Sequence, residues 1–370
     1  LYNPNLFAQV QKSIFPIAAS DPTSFHSVPY VYLPVFVLPF QLFALINLQT
    51  GYWIWTLVNL VGFSLYLRFF SRKMNGQPLP LRLLFLLLLS LPIFQNLFLG
   101  QINIFLGICA GEFLRSYHSN RPFRAGLWLG GWLIKPQLLI LIAPFLLASR
   151  SWKALAGLLS ATLALLAISY GMAGMTGLQG WWEILTGSAH GGAASNAEIM
   201  MNWRMLDLNL TNFVTPLYGR IVLIVGSAIT AVAALYLAMR FKPGDTTRSM
   251  IIFLGLFAAT CMLAWHAHFS MSIILIPPLL LLTLQKRLPN KLLLLWVFLP
   301  TGVLLITYLL AALAQAGYLP AGIAVWLDLA TGLRGLVLNL ILMTWAVMQI
   351  RVMKTDGSFQ LLNNRNDTSG

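Results

Sequence analysis

Apolar stretches of about 18–25 residues, enough to cross roughly 30 Å of hydrocarbon, recur along this chain with short polar breaks between them. Paired runs occupy 83–97 with 101–115, 153–174 with 217–240, 249–265 with 269–285, and 292–314 with 330–350. Each pair is predicted to cross a bilayer and return. The first pair turns near Gly100-Gln101, the second carries a long outer loop at 175–216, and the third is tipped by Trp265-His266-Ala267-His268. The pattern predicts an all-α, polytopic membrane helix bundle of about 10–12 membrane segments, some of them short or broken.

Lys and Arg orient these runs. They cluster at Arg68/Arg72/Lys73/Arg82, Arg115/Arg121/Arg124, Arg150/Lys153, Arg240/Lys242/Arg248, Lys286/Arg287/Lys291 and Arg351/Lys354, in the breaks between apolar runs. Basic residues collect in short cytoplasmic loops, so these breaks are assigned to the cytoplasm and the others to the outside. The formal charge of +14 is therefore read as topology, and no nucleic-acid partner is expected. Only 9% of residues are charged, against about 25% in soluble domains, which excludes a water-soluble globule of this size. Cys109 and Cys261 lie inside apolar runs without Cys-x-x-Cys spacing, so neither a disulfide framework nor a metal centre is expected.

Two stretches depart from simple crossing. Segment 125–149 begins and ends at basic clusters, yet it is one span long and carries Lys135-Pro136 at its middle. Proline removes a backbone donor and turns the preceding residue away from helix. Two short helices are predicted to meet at Lys135, reaching up into a cavity and back. Run 30–47 holds Pro34 and Pro39 just after Pro29, and counting charges leaves its entry side open. Residues 1–29 read as the end of an outer loop, with a helix expected upstream of Leu1; 30–354 reads as one transmembrane domain, and 355–370 as a disordered cytoplasmic tail. No internal repeat is evident.

Polar groups that could carry chemistry gather on the outer side. A Lys at mid-bilayer costs roughly 2.5–3.5 kcal/mol, so Lys135 is expected at mid-depth in a wet, paired or protein-lined site that suits a phosphate; the ordinary alternative is snorkelling to an interface. Gln137 stands beside it. Gln101 and Asn103 offer neutral donors and acceptors to a sugar, or simply cap a helix between two spans. His266 and His268 can each donate to a phosphate or sugar oxygen. No carboxylate or Cys stands near them in sequence, so a metal pair is disfavoured. The outer loop carries Trp181, Trp182 and Trp203, a small-residue stretch from Gly187 to Ala197 that is expected to be mobile, and then Glu198, Asn202, Arg204, Asp207, Asn209 and Asn212. Part of it suits an amphipathic helix lying on the membrane. Glu112 with Arg115 reads as a local ion pair.

In chain order, Tyr30-Val31-Tyr32-Leu33-Pro34 with Pro39, Gly100-Gln101-Ile102-Asn103, Lys135-Pro136-Gln137 and Trp265-His266-Ala267-His268 resemble the motifs of family 87 glycosyltransferases, mannosyltransferase-like membrane enzymes of the GT-C superfamily. The resemblance covers about three-quarters of the chain. It implies a polyprenyl-phosphate sugar donor, mannose above all, a glycan or glycolipid acceptor, inversion, and transfer at the outer face of a bacterial plasma membrane without a cofactor. Lys135, His266 and His268 would then hold the donor phosphate, while Gln101, Asn103, Gln137 and Asn209 would meet sugar or acceptor. The acidic base of such enzymes lies in the first outer loop, here expected upstream of Leu1, since Asp21 does not match its position. The chain departs from the family's pattern where Ala267 separates the histidines, where Leu263-Ala264 precede them, and where Asn209-Leu210-Thr211 stands in the long loop. The alternative from a different class is a flippase that moves a lipid-linked glycan without making a bond.

Overall fold

The computed structural model describes residues 2–14, 30–189, 197–242, 244–320 and 322–366. Among these, six helices are long and apolar enough to cross a membrane. They are α2 (Leu48–Asn75), α8 (Trp152–Ala189), α10 (Pro216–Met239), α11 (Thr246–Leu263), α13 (Asn290–Gln315) and α14 (Ile323–Asn366). Shorter helices complete the bundle: α1 (Pro4–Ile14), α3 (Leu81–Leu88), α4 (Leu91–Phe98), α5 (Asn103–His118), α6 (Pro122–Leu129), α7 (Leu139–Ala148), α9 (Trp203–Phe213) and α12 (Ile276–Leu284). The chain is thus an all-α, multi-pass membrane bundle, with short and broken segments beside the full spans.

The apolar run expected as one span from 83 to 97 is bent by 59° between α3 and α4. Ser90 leaves helical geometry and Pro92 stands two residues later in the first turn of α4, which explains the break. Run 30–47 is a succession of single turns, Pro34–Val37, Leu38–Gln41 and Leu42–Leu45, instead of a span. Its prolines sit at turn starts, where a missing N–H costs nothing. The expected tail after Lys354 falls where α14 continues, and the side chains there lie outside the described residues, as do Asp21, most of 1–29 and most of the small-residue stretch of the long loop.

That long loop is largely helical. α8 runs on past residue 175 to Ala189, with a break at Gly174, where φ is 61° and ψ −172°. Only glycine adopts this geometry readily. α9 then follows, capped by the Asn202 side chain, which accepts from the Met205 amide.

The core forms around α11, whose span is 78% buried, against 22% for α10 and 17% for α8, which face lipid. Phe113, Phe145, Phe253 and Phe257 pack there edge-on or tilted. Glu112 is buried and takes Nε and Nη2 of Arg115 at 2.8 and 2.5 Å, with Arg124 Nη2 at 3.7 Å. The expected ion pair therefore exists, and it extends to α6. All the basic clusters lie at one end of the helices, called here the basic end; Gly100, Lys135 and 264–268 lie at the other.

The hairpin at Lys135 forms as its proline predicts. α6 passes into a tight 3-10 helix, Gly130–Ile134, and Lys135 itself is extended at φ −134°, ψ 75°. Pro136–Leu138 restarts a 3-10 turn that leads into α7. Very close packing supports it: a Cβ on Gly126 would strike the Ala154 carbonyl, and one on Gly157 the Phe123 carbonyl. Small residues let two helix backbones touch inside a bilayer, where there is no hydrophobic drive between helices.

Candidate active site

Helix lengths set the depth of Lys135. At about 1.5 Å per α-helical residue and 2 Å per 3-10 residue, α6 and the following turn lift it roughly 22 Å from the basic end. The register is fixed by Trp132, whose indole N–H donates to the Leu106 carbonyl on α5 at 3.1 Å. Lys135 therefore stands level with the far ends of α5 and α11, beside the Gln101 turn.

Around it the structure brings together residues distant in sequence. Gly100 makes the turn with φ 61°, and Gln101 and Asn103 follow it. Gln101 Oε1 is the shared acceptor: it takes the Asn103 amide at 2.7 Å, the Ser270 hydroxyl at 3.3 Å and the Lys135 ammonium at 3.5 Å. Asn103 Nδ2 also reaches Ser270 Oγ at 3.1 Å. Asn96, on α4, locks the arrangement. Its Nδ2 donates to the Ser270 carbonyl at 3.0 Å while its Oδ1 accepts from the Asn103 amide N–H at 3.1 Å.

The loop after α11 closes the other side. Ala264 leaves helical geometry, and the four carbonyls from Ala264 to Ala267 each accept a hydrogen bond. Asn202 Nδ2 donates to the Ala264 carbonyl at 2.6 Å, Arg204 to that of Trp265 at 3.2 Å, and Gln137 Nε2 to that of His266 at 3.1 Å. The Ala267 carbonyl accepts from the Met201 amide at 2.9 Å. The two histidine rings meet edge to face, 4.9 Å between centroids. His266 Nδ1 is buried with no hydrogen-bond partner, and so is Asn103 Oδ1. Burial chiefly, then His268, Lys135 and Arg204, push the His266 imidazole down to about 3, so it is neutral. Cations crowd this loop.

Lys135 is only 8% exposed and has no carboxylate in ion-pair range among the described residues, and the same holds for Arg204. A buried ammonium with one long contact to a neutral amide is poorly compensated. Such a group favours an anion placed beside it. Of the residues singled out from sequence, Gln101, Asn103, Lys135, Gln137, His266 and His268 come together. Asn209 does not join them: its amide donates to the carbonyls of Glu198 and Met205, at 3.0 and 2.9 Å, and holds the start of α9 against the preceding turn. Asn96, Ser270 and the clamping role of Arg204 escaped sequence reading. An Asn seven residues before Asn103 in an apolar run, and a Ser four residues after His266, are the signals that mark the first two.

No group of three or more metal-ligating side chains occurs among the described residues. Comparison with curated proteins and with solved structures gives no match. The model of glycosyltransferase family 87 matches residues 30–267, a stretch that begins at Tyr30 and takes in the Gln101–Asn103 turn, the Lys135 hairpin and His266. The match spans well over half of the chain, and its fold is a multi-pass helical bundle. This protein is a membrane glycosyltransferase of family 87, consistent with the GT-C superfamily.

Proposed function

We propose that the protein transfers a sugar, mannose in the first instance, from a polyprenyl-phosphate donor to a glycan or glycolipid acceptor at the outer face of a bacterial plasma membrane. The observation that carries this reading is the pair of cations, Lys135 and Arg204, that have no carboxylate in ion-pair range among the described residues and flank neutral donors at the end of the bundle opposite the basic loops. A lipid phosphate enters from the membrane, and its charged head needs cationic groups close to an interface. Lys135, with His266 and His268 beside it, stabilises the negative charge that builds on the departing phosphate oxygen.

Gln101, Asn103 and Gln137 orient the sugar hydroxyls. A carboxylate of the first outer loop takes the proton of the acceptor hydroxyl. The acceptor oxygen then bonds to the anomeric carbon as the carbon–oxygen bond to phosphate breaks from the opposite side, so configuration inverts and polyprenyl phosphate leaves.

The test reconstitutes the protein with radiolabelled polyprenyl-phosphate mannose and membrane glycolipids. Label appearing in glycolipid with inverted anomeric configuration is the expected result. Movement of the labelled lipid between leaflets with no new glycosidic bond would overturn the reading in favour of a flippase.

A further inference from the structure

A second site lies at the basic end, at the opposite ends of α5 and α11 from Lys135. There the structure encloses a cavity of about 720 Å³ between the end of α5, the end of α7, the start of α8 and the start of α11. Its lining is divided by chemistry. Phe241 and Phe253 form an apolar wall, and Arg150, Lys153 and His118 bring basic groups. Between them is a row of hydroxyls: Ser151 meets both Tyr117 and Ser149, the latter at 2.9 Å.

Charge at this cavity is mostly of one sign. Asp245 also lines it, but its carboxylate is engaged in capping the Arg248 amide at 2.9 Å. His118 shares its Nδ1 with the Thr246 hydroxyl at 2.7 Å. Arg150 and Lys153 form no ion pair among the described residues. Arg150 also holds a left-handed backbone, φ 53°, which a residue with a Cβ adopts at a cost. That conformation ends α7 and sets Arg150 beside the start of α8, where the helix dipole adds positive potential.

The depth of the mouth selects the ligand. Trp152 lines it and is 61% exposed. Tryptophan on the outside of a membrane bundle marks the headgroup level. An opening at that level, with cations and hydroxyls beside an aromatic wall, matches a molecule whose phosphate and glycerol are polar and whose chains are not.

We propose that this cavity binds the headgroup of an anionic phospholipid from the leaflet on the basic side. The phosphate lies between Arg150 and Lys153, and the upper acyl chains pass along Phe241 and Trp152. The site is separate from the sugar-transfer machinery and does not depend on its assignment.

The experiment compares the full chain in phosphatidylcholine nanodiscs with the same protein in nanodiscs containing phosphatidylglycerol. Native mass spectrometry counts lipid retained after release, and thermal unfolding reports stability. Wild-type protein should retain phosphatidylglycerol and melt several degrees higher with it. The double variant Arg150→Gly/Lys153→Gln should retain it about thirtyfold less, in line with the combined attraction of two basic residues for an anionic surface. Glycine accepts the left-handed backbone at residue 150, so this variant keeps the fold, and an unchanged melting point in pure phosphatidylcholine verifies that. Equal retention by variant and wild type would overturn the proposal. So would an equal thermal shift produced by inorganic phosphate in phosphatidylcholine, because the site would then serve a soluble anion.

Discussion

The ammonium of Lys135 lies 3.5 Å from Oε1 of Gln101, an oxygen that already accepts from Asn103 at 2.7 Å and from Ser270 at 3.3 Å. One neutral oxygen thus faces three donors, and the charged one is the farthest. The amide stations the ammonium without neutralising it. This arrangement suits a group that must remain available to an anionic ligand.

Lys135→Met should therefore reduce sugar transfer by about 100-fold or more, the scale seen when a donor to developing negative charge is removed. The protein should still fold, because the variant removes a buried charge that lacks a close counter-charge. Initial rates in proteoliposomes, with size-exclusion profiles as the folding control, check this. Wild-type rates in Lys135→Met would remove the residue from the site.

Gly126→Val and Gly157→Val should each separate α6 from α8, because the added side chain meets backbone carbonyls that cannot move aside. The hairpin carrying Lys135 would lose its register on α5. Loss of activity together with a large drop in melting temperature is expected. An unaltered melting temperature in either variant would contradict the close packing described.

Asn96→Leu should cost about 1–3 kcal/mol, since it strands the Asn103 amide and the Ser270 carbonyl in a buried place. It touches no substrate in the proposed mechanism. The expected signature is a lowered unfolding midpoint with a smaller effect on the affinity for donor. A variant as stable as wild type would mean that water or the neighbouring side chains satisfy both groups.

Stability should fall on mild acidification through His266. Its imidazole is held at about 3 in the folded protein by burial first, and by His268, Lys135 and Arg204 after it. The unfolded chain binds this proton near its ordinary pKa of about 6.5. Folded protein is then favoured fully above that value and progressively less as pH drops from about 6.5 toward 3. Melting temperatures measured from about pH 7.5 down to about 4.5, a range that brackets that pKa, should slope less steeply in His266→Asn. Identical slopes would indicate that His266 takes up its proton in the folded state.

Much of the bundle was legible because a bilayer imposes simple demands. The apolar runs between basic clusters are helical, though 83–97 and 269–285 are each divided into shorter pieces, and Pro136 identified the broken hairpin by local geometry alone. The bend between α3 and α4 was less visible, since Ser90 and Pro92 interrupt an otherwise continuous apolar stretch. The extension of α8 beyond Gly174 was hidden by glycine and polar residues that suggest a loop. Within the site, motif residues announced themselves by rarity. Asn96 and Ser270 did not, because their role is visible only once α4 and the turn after His268 are side by side.

Contacts around Gln101 join segments far apart in the chain: its bond to Ser270 spans 169 residues, and that of Gln137 to the His266 carbonyl spans 129. During synthesis the charged hairpin enters the bilayer long before α11 and its loop exist. Until those later helices arrive, Gln137 and the Gln101 turn lack their final partners. Biogenesis of this enzyme must therefore hold these polar segments before their partners exist, and a nascent chain stalled before residue 264 would present its lysine to whatever machinery surveys unassembled membrane proteins.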